Sequence, residues 1–173
     1  MSSIWGERLK ISLFGESHGS GIGVVIDGFP PGLELDFERI DLEMERRKPN
    51  SSAYSTKRKE ADKVEILSGL YKGRTTGAPL CGLIRNSDTR SQDYERTSHL
   101  ARPGHADYTG YVRYEGYNDF RGGGHFSARL TAPLVFAGAI ARQYLEAKGI
   151  HIGSHIFSIG DALDVGFDMA HIT

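Results

Sequence analysis

Two short segments hold the residues best suited to chemistry: Gly15-Glu16-Ser17-His18-Gly19 and Arg102-Pro103-Gly104-His105-Ala106-Asp107-Tyr108. Each sets one imidazole among glycines, with a carboxylate close in sequence at Glu16 or Asp107. Imidazole titrates nearest to neutral pH, and glycine-flanked loops let a ligand approach the main chain, so the pair points to proton transfer. A third segment, Arg121-Gly122-Gly123-Gly124, runs into His125-Phe126-Ser127-Ala128-Arg129. Glycines, a hydroxyl and the free N–H groups of a helix start suit an oxyanion. Arginine adds a planar fork for carboxylate and phosphate oxygens. Arg102, biased to an extended backbone by the proline after it, joins Arg46, Arg47, Arg121 and Arg129 in a basic set. Together these groups describe a locally positive pocket for a multiply anionic small molecule. Arg46-Arg47-Lys48 has a second explanation, since cations suit the C-terminal end of a helix. Lys57-Arg58-Lys59 reads as a solvated run.

Three other chemistries fit less well. Gly15 to Gly19 satisfies G-x-S-x-G with Ser17 as nucleophile, but that elbow needs a helix after its strand. Gly21, Gly23, Val24 and Val25 are poor helix formers. Gly19-x-Gly21-x-Gly23 has the wrong spacing for a dinucleotide loop. Zinc held by His18, His105 and His125 would need ligands of which no pair has close spacing.

The elements that must position these residues are legible from periodicity. Residues 8–14 alternate apolar and polar as a strand does, a glycine-rich loop follows over 15–23, and Val24-Val25-Ile26 is a second strand ended by Pro30-Pro31-Gly32. Phe37, Ile40 and Met44 predict a helix from Asp36 to Lys48, with Asp36 as N-cap and Pro49 as stop. Residues 50–60 are polar and expected to form a mobile loop. Val64 to Leu67 and Ala78 to Ile84 predict strands joined by a turn through residues 73–77. Residues 86–126 show no long periodic run and are expected to be a functional loop. Thr131 to Lys148 is apolar on most faces, which predicts a buried helix with Pro133 in its first turn and Gly149 closing it. A last strand is expected over Ile150 to Ile159. This order predicts an α+β fold, an antiparallel sheet packed against helices, as a single domain over residues 1–173.

Composition sets the outer bounds. A chain of 173 residues buries roughly 70% of its unfolded surface. The net charge of −1 argues against nucleic acid as a partner. Cys81, the single cysteine, lies in an apolar run and reads as a buried, inert thiol. The N-terminal residues carry Glu7, Arg8 and Lys10 without a long apolar run, so a cytoplasmic protein with no membrane partner is expected.

The motifs also occur in a recognisable order: G-E-S-H-G at 15–19, Asp27-Gly28-x-Pro30-x-Gly32, Arg46-Arg47-x-Pro49, Glu65-Ile66-Leu67-Ser68-Gly69, Thr75-Thr76-Gly77, Arg102 to Tyr108, and Arg121-Gly122-Gly123-Gly124 with Ser127-Ala128-Arg129. In this the chain resembles the N-terminal part of the chorismate synthase family, over about residues 5 to 155. The resemblance implies half of that family's β-α-β sandwich and a homotetrameric, cytoplasmic lyase of the shikimate pathway of aromatic amino acid biosynthesis. Such enzymes remove phosphate from 5-enolpyruvylshikimate 3-phosphate in an anti-1,4 elimination that gives chorismate. They require reduced FMN, which is not consumed.

By the same resemblance, His18 protonates the departing phosphate and His105 keeps the reduced flavin in its right protonation state. His125, Phe126 and Ser127 match a flavin-contacting segment, and Arg46, Arg102 and Arg129 match arginines around the substrate anions. Arg47 matches an NADP-contacting arginine of bifunctional members, which alone use NADPH; no metal is implied. Four positions depart from the pattern. His125 stands where many members have arginine, Leu130 replaces a glutamate, Asn50 replaces a glycine, and Ala53 falls on a second NADP-contacting arginine, which points to an external flavin reductase. Family members are about twice as long, so a truncated, C-terminally incomplete chain is expected. The alternative reading is an inactive FMN- or anion-binding remnant that needs a complementary C-terminal half.

Overall fold

Apolar side chains alternating along short strands build one sheet, and the most apolar helix covers it. The structure, a computed structural model, describes residues 3–48, 61–87 and 100–166. The expected loop at 50–60, with Asn50, Ala53 and the 57–59 basic run, lies outside the described residues, as does Pro49. In chain order the elements are β1 (Ile4–Trp5), β2 (Lys10–Gly15), β3 (Gly21–Asp27), α1 (Phe37–Arg47), β4 (Val64–Ser68), β5 (Leu70–Tyr71), β6 (Arg74–Thr75), β7 (Leu80–Arg85), α2 (Asp107–Arg113), two 3-10 turns (Arg121–Phe126 and Ala128–Leu130), α3 (Thr131–Glu146), β8 (Ser158–Ile159) and β9 (Ala162–Leu163). The main sheet runs β1-β2-β3-β7-β4, with every pairing antiparallel. This is the α+β architecture expected from the sequence.

The register explains the core. Ile22 pairs with Ile84, Val24 with Gly82 and Ile26 with Leu80 across β3 and β7. Ile22, Val24, Ile26, Leu80 and Ile84 are all buried, and Phe136 and Ile140 of α3 join them. A Cβ on Gly82 would collide with the ring of Phe136, so glycine there lets the helix lie close on the sheet. Burying Phe136 stabilises the fold by roughly 2–3 kcal/mol. Helix α1 adds Ile40 and Met44 to the same core. Its N-cap is the expected Asp36, whose carboxylate accepts from Arg39 N–H at 3.1 Å. Buried Gln143 of α3 locks that cap from the other side, accepting from Asp36 N–H and donating to Asp36 O, both at 2.9 Å.

Four expectations change. The glycine-rich loop shrinks to residues 16–20, because Gly21 and Gly23 belong to β3. Gly23 is a strand residue because the Phe14 ring and the Gly82 carbonyl occupy the space a side chain would need. The stretch 86–126 is not structureless: it contains α2 and a 3-10 turn. The strand expected over Ile150 to Ile159 does not form; only Ser158–Ile159 pairs, with Ala162–Leu163, in a hairpin. Residues 150–166 are exposed throughout, and β-forming side chains that bury no face against the core have little to hold them extended. Finally, Cys81 is half-buried rather than fully enclosed, and its burial pushes the thiol pKa up.

Candidate active site

The loop between β2 and β3 is fixed by its serine rather than by its histidine. Ser17 is fully buried. Its backbone N–H donates to Gly124 O at 3.1 Å, and its hydroxyl donates to Gly122 O at 3.1 Å, with Arg121 O at 3.3 Å. His18 Nδ1 lies 2.9 Å from that hydroxyl. A sealed Ser17 followed by strand β3 is not the exposed strand-to-helix elbow of a serine hydrolase, and Gly19 to Gly23 likewise leads into a strand and not a dinucleotide-binding helix.

The triple glycine brings the two histidine loops together. Gly122, Gly123 and Gly124 have φ of 58°, 86° and 52°, a left-handed path that side chains resist. A Cβ on Gly122 would collide with the His18 imidazole, and one on Gly123 with the His105 imidazole. The two rings therefore occupy neighbouring seats on one bare stretch of main chain.

Two arginine-held carboxylates serve the pair, Asp107 in contact with His105 and Asp119 within electrostatic reach of His18. His105 Nδ1 lies 2.9 Å from Asp107 Oδ1. Arg102 grips the same carboxylate with Nε to Oδ2 at 2.7 Å, Nη2 to Oδ1 at 2.8 Å and its backbone N–H to Oδ2 at 3.0 Å. Those hydrogen bonds, working against burial, hold Asp107 far below the usual carboxylate range. Asp119 is held by Arg121 in the same way, through Nε and Nη2 at 2.8 Å. Its pKa is lowered chiefly by Arg121 against desolvation, with a smaller contribution from the charge of His18.

The remaining predicted residues divide. Arg46 is exposed and pairs with Glu43 at 2.9 Å on the outer face of α1, away from the histidines. Arg47 donates to Asp62 Oδ2 at 2.7 Å. Arg129 is buried; its Nη1 donates to Asp62 Oδ1 and its Nε to Asn86 Oδ1, both at 2.7 Å. His125 uses both ring nitrogens structurally, Nδ1 donating to Gly15 O at 2.8 Å and Nε2 meeting Ser3 Oγ at 2.5 Å. Phe126 packs over Gly110 and stands 5.9 Å from the Tyr114 ring. Ser127 caps the turn at Ala128–Leu130, accepting from Arg129 N–H. Among the described residues no cluster of three or more His, Cys, Asp or Glu side chains is disposed to hold a metal ion.

A cavity of about 400 Å³ is lined by Phe14, Glu16, Tyr114, Tyr117, Asp119, His125 and Phe126; neither His18 nor His105 is among its lining residues. Sequence reasoning missed Asp62, Asn86, Asp119 and the tyrosines. Asp62 and Asn86 sit in irregular chain next to β4 and β7 and carry no local pattern. A clearer signal marked Asp119, since Asp-x-Arg ahead of a glycine run is a ready-made local ion pair.

Comparison with known proteins bears on the family and the fold. A family model described as chorismate synthase matches residues 9–172. Chorismate synthase of Paraburkholderia xenovorans is 53% identical over 169 residues, 96% of this chain and 46% of that protein. The enzyme of the same name from Ralstonia pickettii is 54% identical over 157 residues, covering 90% and 43%. A crystal structure of chorismate synthase superposes with a TM-score of 0.65 at 33% identity, covering 91% of this chain and 40% of that one. The chain thus spans less than half the length of the curated relatives it matches. With nearly its whole length matched, at about half identity, the chain belongs to the chorismate synthase family.

Proposed function

We propose that this chain carries the His18 and His105 side of a chorismate-forming lyase, which eliminates phosphate from 5-enolpyruvylshikimate 3-phosphate in anti-1,4 fashion. The observation that supports it is the seating of both imidazoles on successive glycines, with the arginine-paired Asp107 against His105 and Asp119 within electrostatic reach of His18. In the reaction the C–O bond to phosphate and a ring C–H bond break, and a new ring double bond forms. His18 delivers a proton to the departing phosphate. The electron pair of the ring C–H bond becomes the new double bond and its proton passes to solvent, while His105, next to Asp107, would keep the reduced flavin in its right protonation state. Arg47 and Arg129 share the single charge of Asp62, so that cluster keeps a net positive charge that favours an anionic substrate. Arg102, engaged by Asp107, serves this reading as the anchor of the His105 loop and not as a substrate contact.

The aromatic walls and the volume of the cavity fit the ring system of a flavin, with Tyr114, Tyr117, Phe126 and Phe14 as its holders. When bound there, reduced FMN would be the source of transient electron density for departure of the phosphate. The cavity lining contains no lysine or arginine, so the phosphate of FMN would draw its cations from elsewhere. Arg47 is committed to Asp62, which favours reduction of the flavin by an external reductase over NADPH bound to this chain. A cytoplasmic homotetramer completes the reading.

The test is anaerobic: the purified chain, dithionite-reduced FMN and 5-enolpyruvylshikimate 3-phosphate, followed at the absorbance of chorismate. Chorismate formation supports the lyase. Silence with measurable FMN binding supports the second reading, an FMN- or anion-binding remnant that needs a complementary half. The exposed apolar side chains of residues 150–166 favour that second reading.

A further inference from the structure

Asp62 belongs to no strand or helix, yet its side chain is only 2% exposed and its backbone is left-handed, with φ 50°. A non-glycine residue persists there only where its surroundings over-determine it. Here both carboxylate oxygens are taken, Oδ2 by Arg47 and Oδ1 by Arg129. Arg129 then donates from Nε to Asn86 Oδ1 at 2.7 Å. That bond fixes which way the amide faces, because a guanidinium offers only donors. The amide nitrogen of Asn86 must point the other way, where it donates to Glu16 O at 3.0 Å and Gly19 O at 2.8 Å. These carbonyls bracket Ser17 and His18, and Gly19 N–H closes the same turn onto Glu16 O at 3.1 Å.

We propose that Asn86 is a positioning residue for His18, held in register by the Asp62–Arg129 ion pair, so that the buried arginines and the histidine loop form one mechanical unit. The link in the fold stands on geometry; its catalytic meaning rests on the lyase reading above. One end of the relay is a charge-assisted pair with almost no solvent access, and the other is a pair of neutral hydrogen bonds to a five-residue loop. Disturbance at Asp62 therefore reaches His18 through a single amide.

The test uses the whole chain and nuclear magnetic resonance. Asn86→Asp is nearly isosteric. It keeps an acceptor toward Arg129 but sets a carboxylate oxygen against the carbonyls of Glu16 and Gly19. The expected result is about tenfold or faster hydrogen exchange at the Ser17 and Gly19 amides, together with displaced or split imidazole signals from His18. The amides of β3 and β7 stay unchanged. Asp62→Asn, which weakens the far end, should move the same His18 signals in the same direction by less. Unmoved His18 and Gly19 signals in Asn86→Asp would overturn the proposal, and so would faster exchange spread evenly over β3 and β7. The lyase reading is judged separately on the unaltered chain: failure of 5-enolpyruvylshikimate 3-phosphate to move the His18 signals defeats that reading and leaves the relay standing.

Discussion

His18 and His105 owe their proximity to two residues that have no side chain. Gly122 and Gly123 lie under the imidazoles at positive φ, so alanine at either position meets both backbone strain and a ring. Gly123→Ala should destabilise the chain by about 1–3 kcal/mol in urea unfolding and displace the His105 ring signals. If His18 is the acid that meets the departing phosphate, His18→Ala should lower anaerobic turnover by about 10²–10⁴-fold; wild-type turnover would remove it from the mechanism. The Arg102–Asp107 pair makes a pH-dependent prediction. Asp107 is depressed in the folded state by Arg102, so its stabilisation is fully present above the unfolded carboxylate pKa, near 4, and is lost progressively as pH falls from there through the much lower folded pKa. Arg102 is 42% exposed at its side chain, which limits the pair to about 0.5–1 kcal/mol. Unfolding curves of Arg102→Ala and the unaltered chain should therefore differ by that amount above about pH 5, narrow below about pH 4 and converge only well below pH 3.

Among the elements, those governed by local pattern were legible in the sequence and those governed by a distant neighbour were not. Helix α1 announced itself through Phe37, Ile40 and Met44 and the Asp36 cap, and α3 through its apolar run with Gly149 behind it. Helix α2 gave no such signal. Asp107–Arg113 is seven residues long and holds Gly110 and the weak helix formers Thr109 and Val112. Packing of the Phe126 ring against Gly110 supports it, and that contact is invisible to any local window. In the site, the histidines were found from their glycine neighbours. The pairing of Arg102 with Asp107, five residues on, was not read from the sequence. Asp62 was missed because its two arginines arrive from α1 and from the turn before α3. At this scale the keystone is the α3–sheet contact: Phe136→Ala should cost about 3–5 kcal/mol in chemical denaturation, since the ring is buried directly over Gly82.

At the scale of the whole molecule, the core lies between the sheet and the helices α1 and α3, joined by Phe29, Leu35 and Leu130 from the connecting segments, and the described residues beyond Gly149 contribute nothing to it. Ile152, Ile156 and Phe157 are each at least 60% exposed. Replacing all three with serine should leave the melting temperature within about 2 °C while reducing binding of a hydrophobic dye; a large fall in melting temperature would mean they bury surface that this fold does not show. The strand order has a further consequence, in the timing of synthesis. β3 pairs on one side with β2, made just before it, and on the other with β7. Its partner residues in β7, such as Ile84 for Ile22, emerge only after about 60 more residues, roughly 3–12 s at ordinary translation rates. During that interval a ribosome would carry a β2–β3 hairpin with one open edge and an uncovered apolar row. The loop that holds His18 would already be closed at both ends, yet loose, because Asn86 and Arg129 had not been made. The His18 loop is thus made well before the residues that hold it, and becomes rigid only once they have joined it.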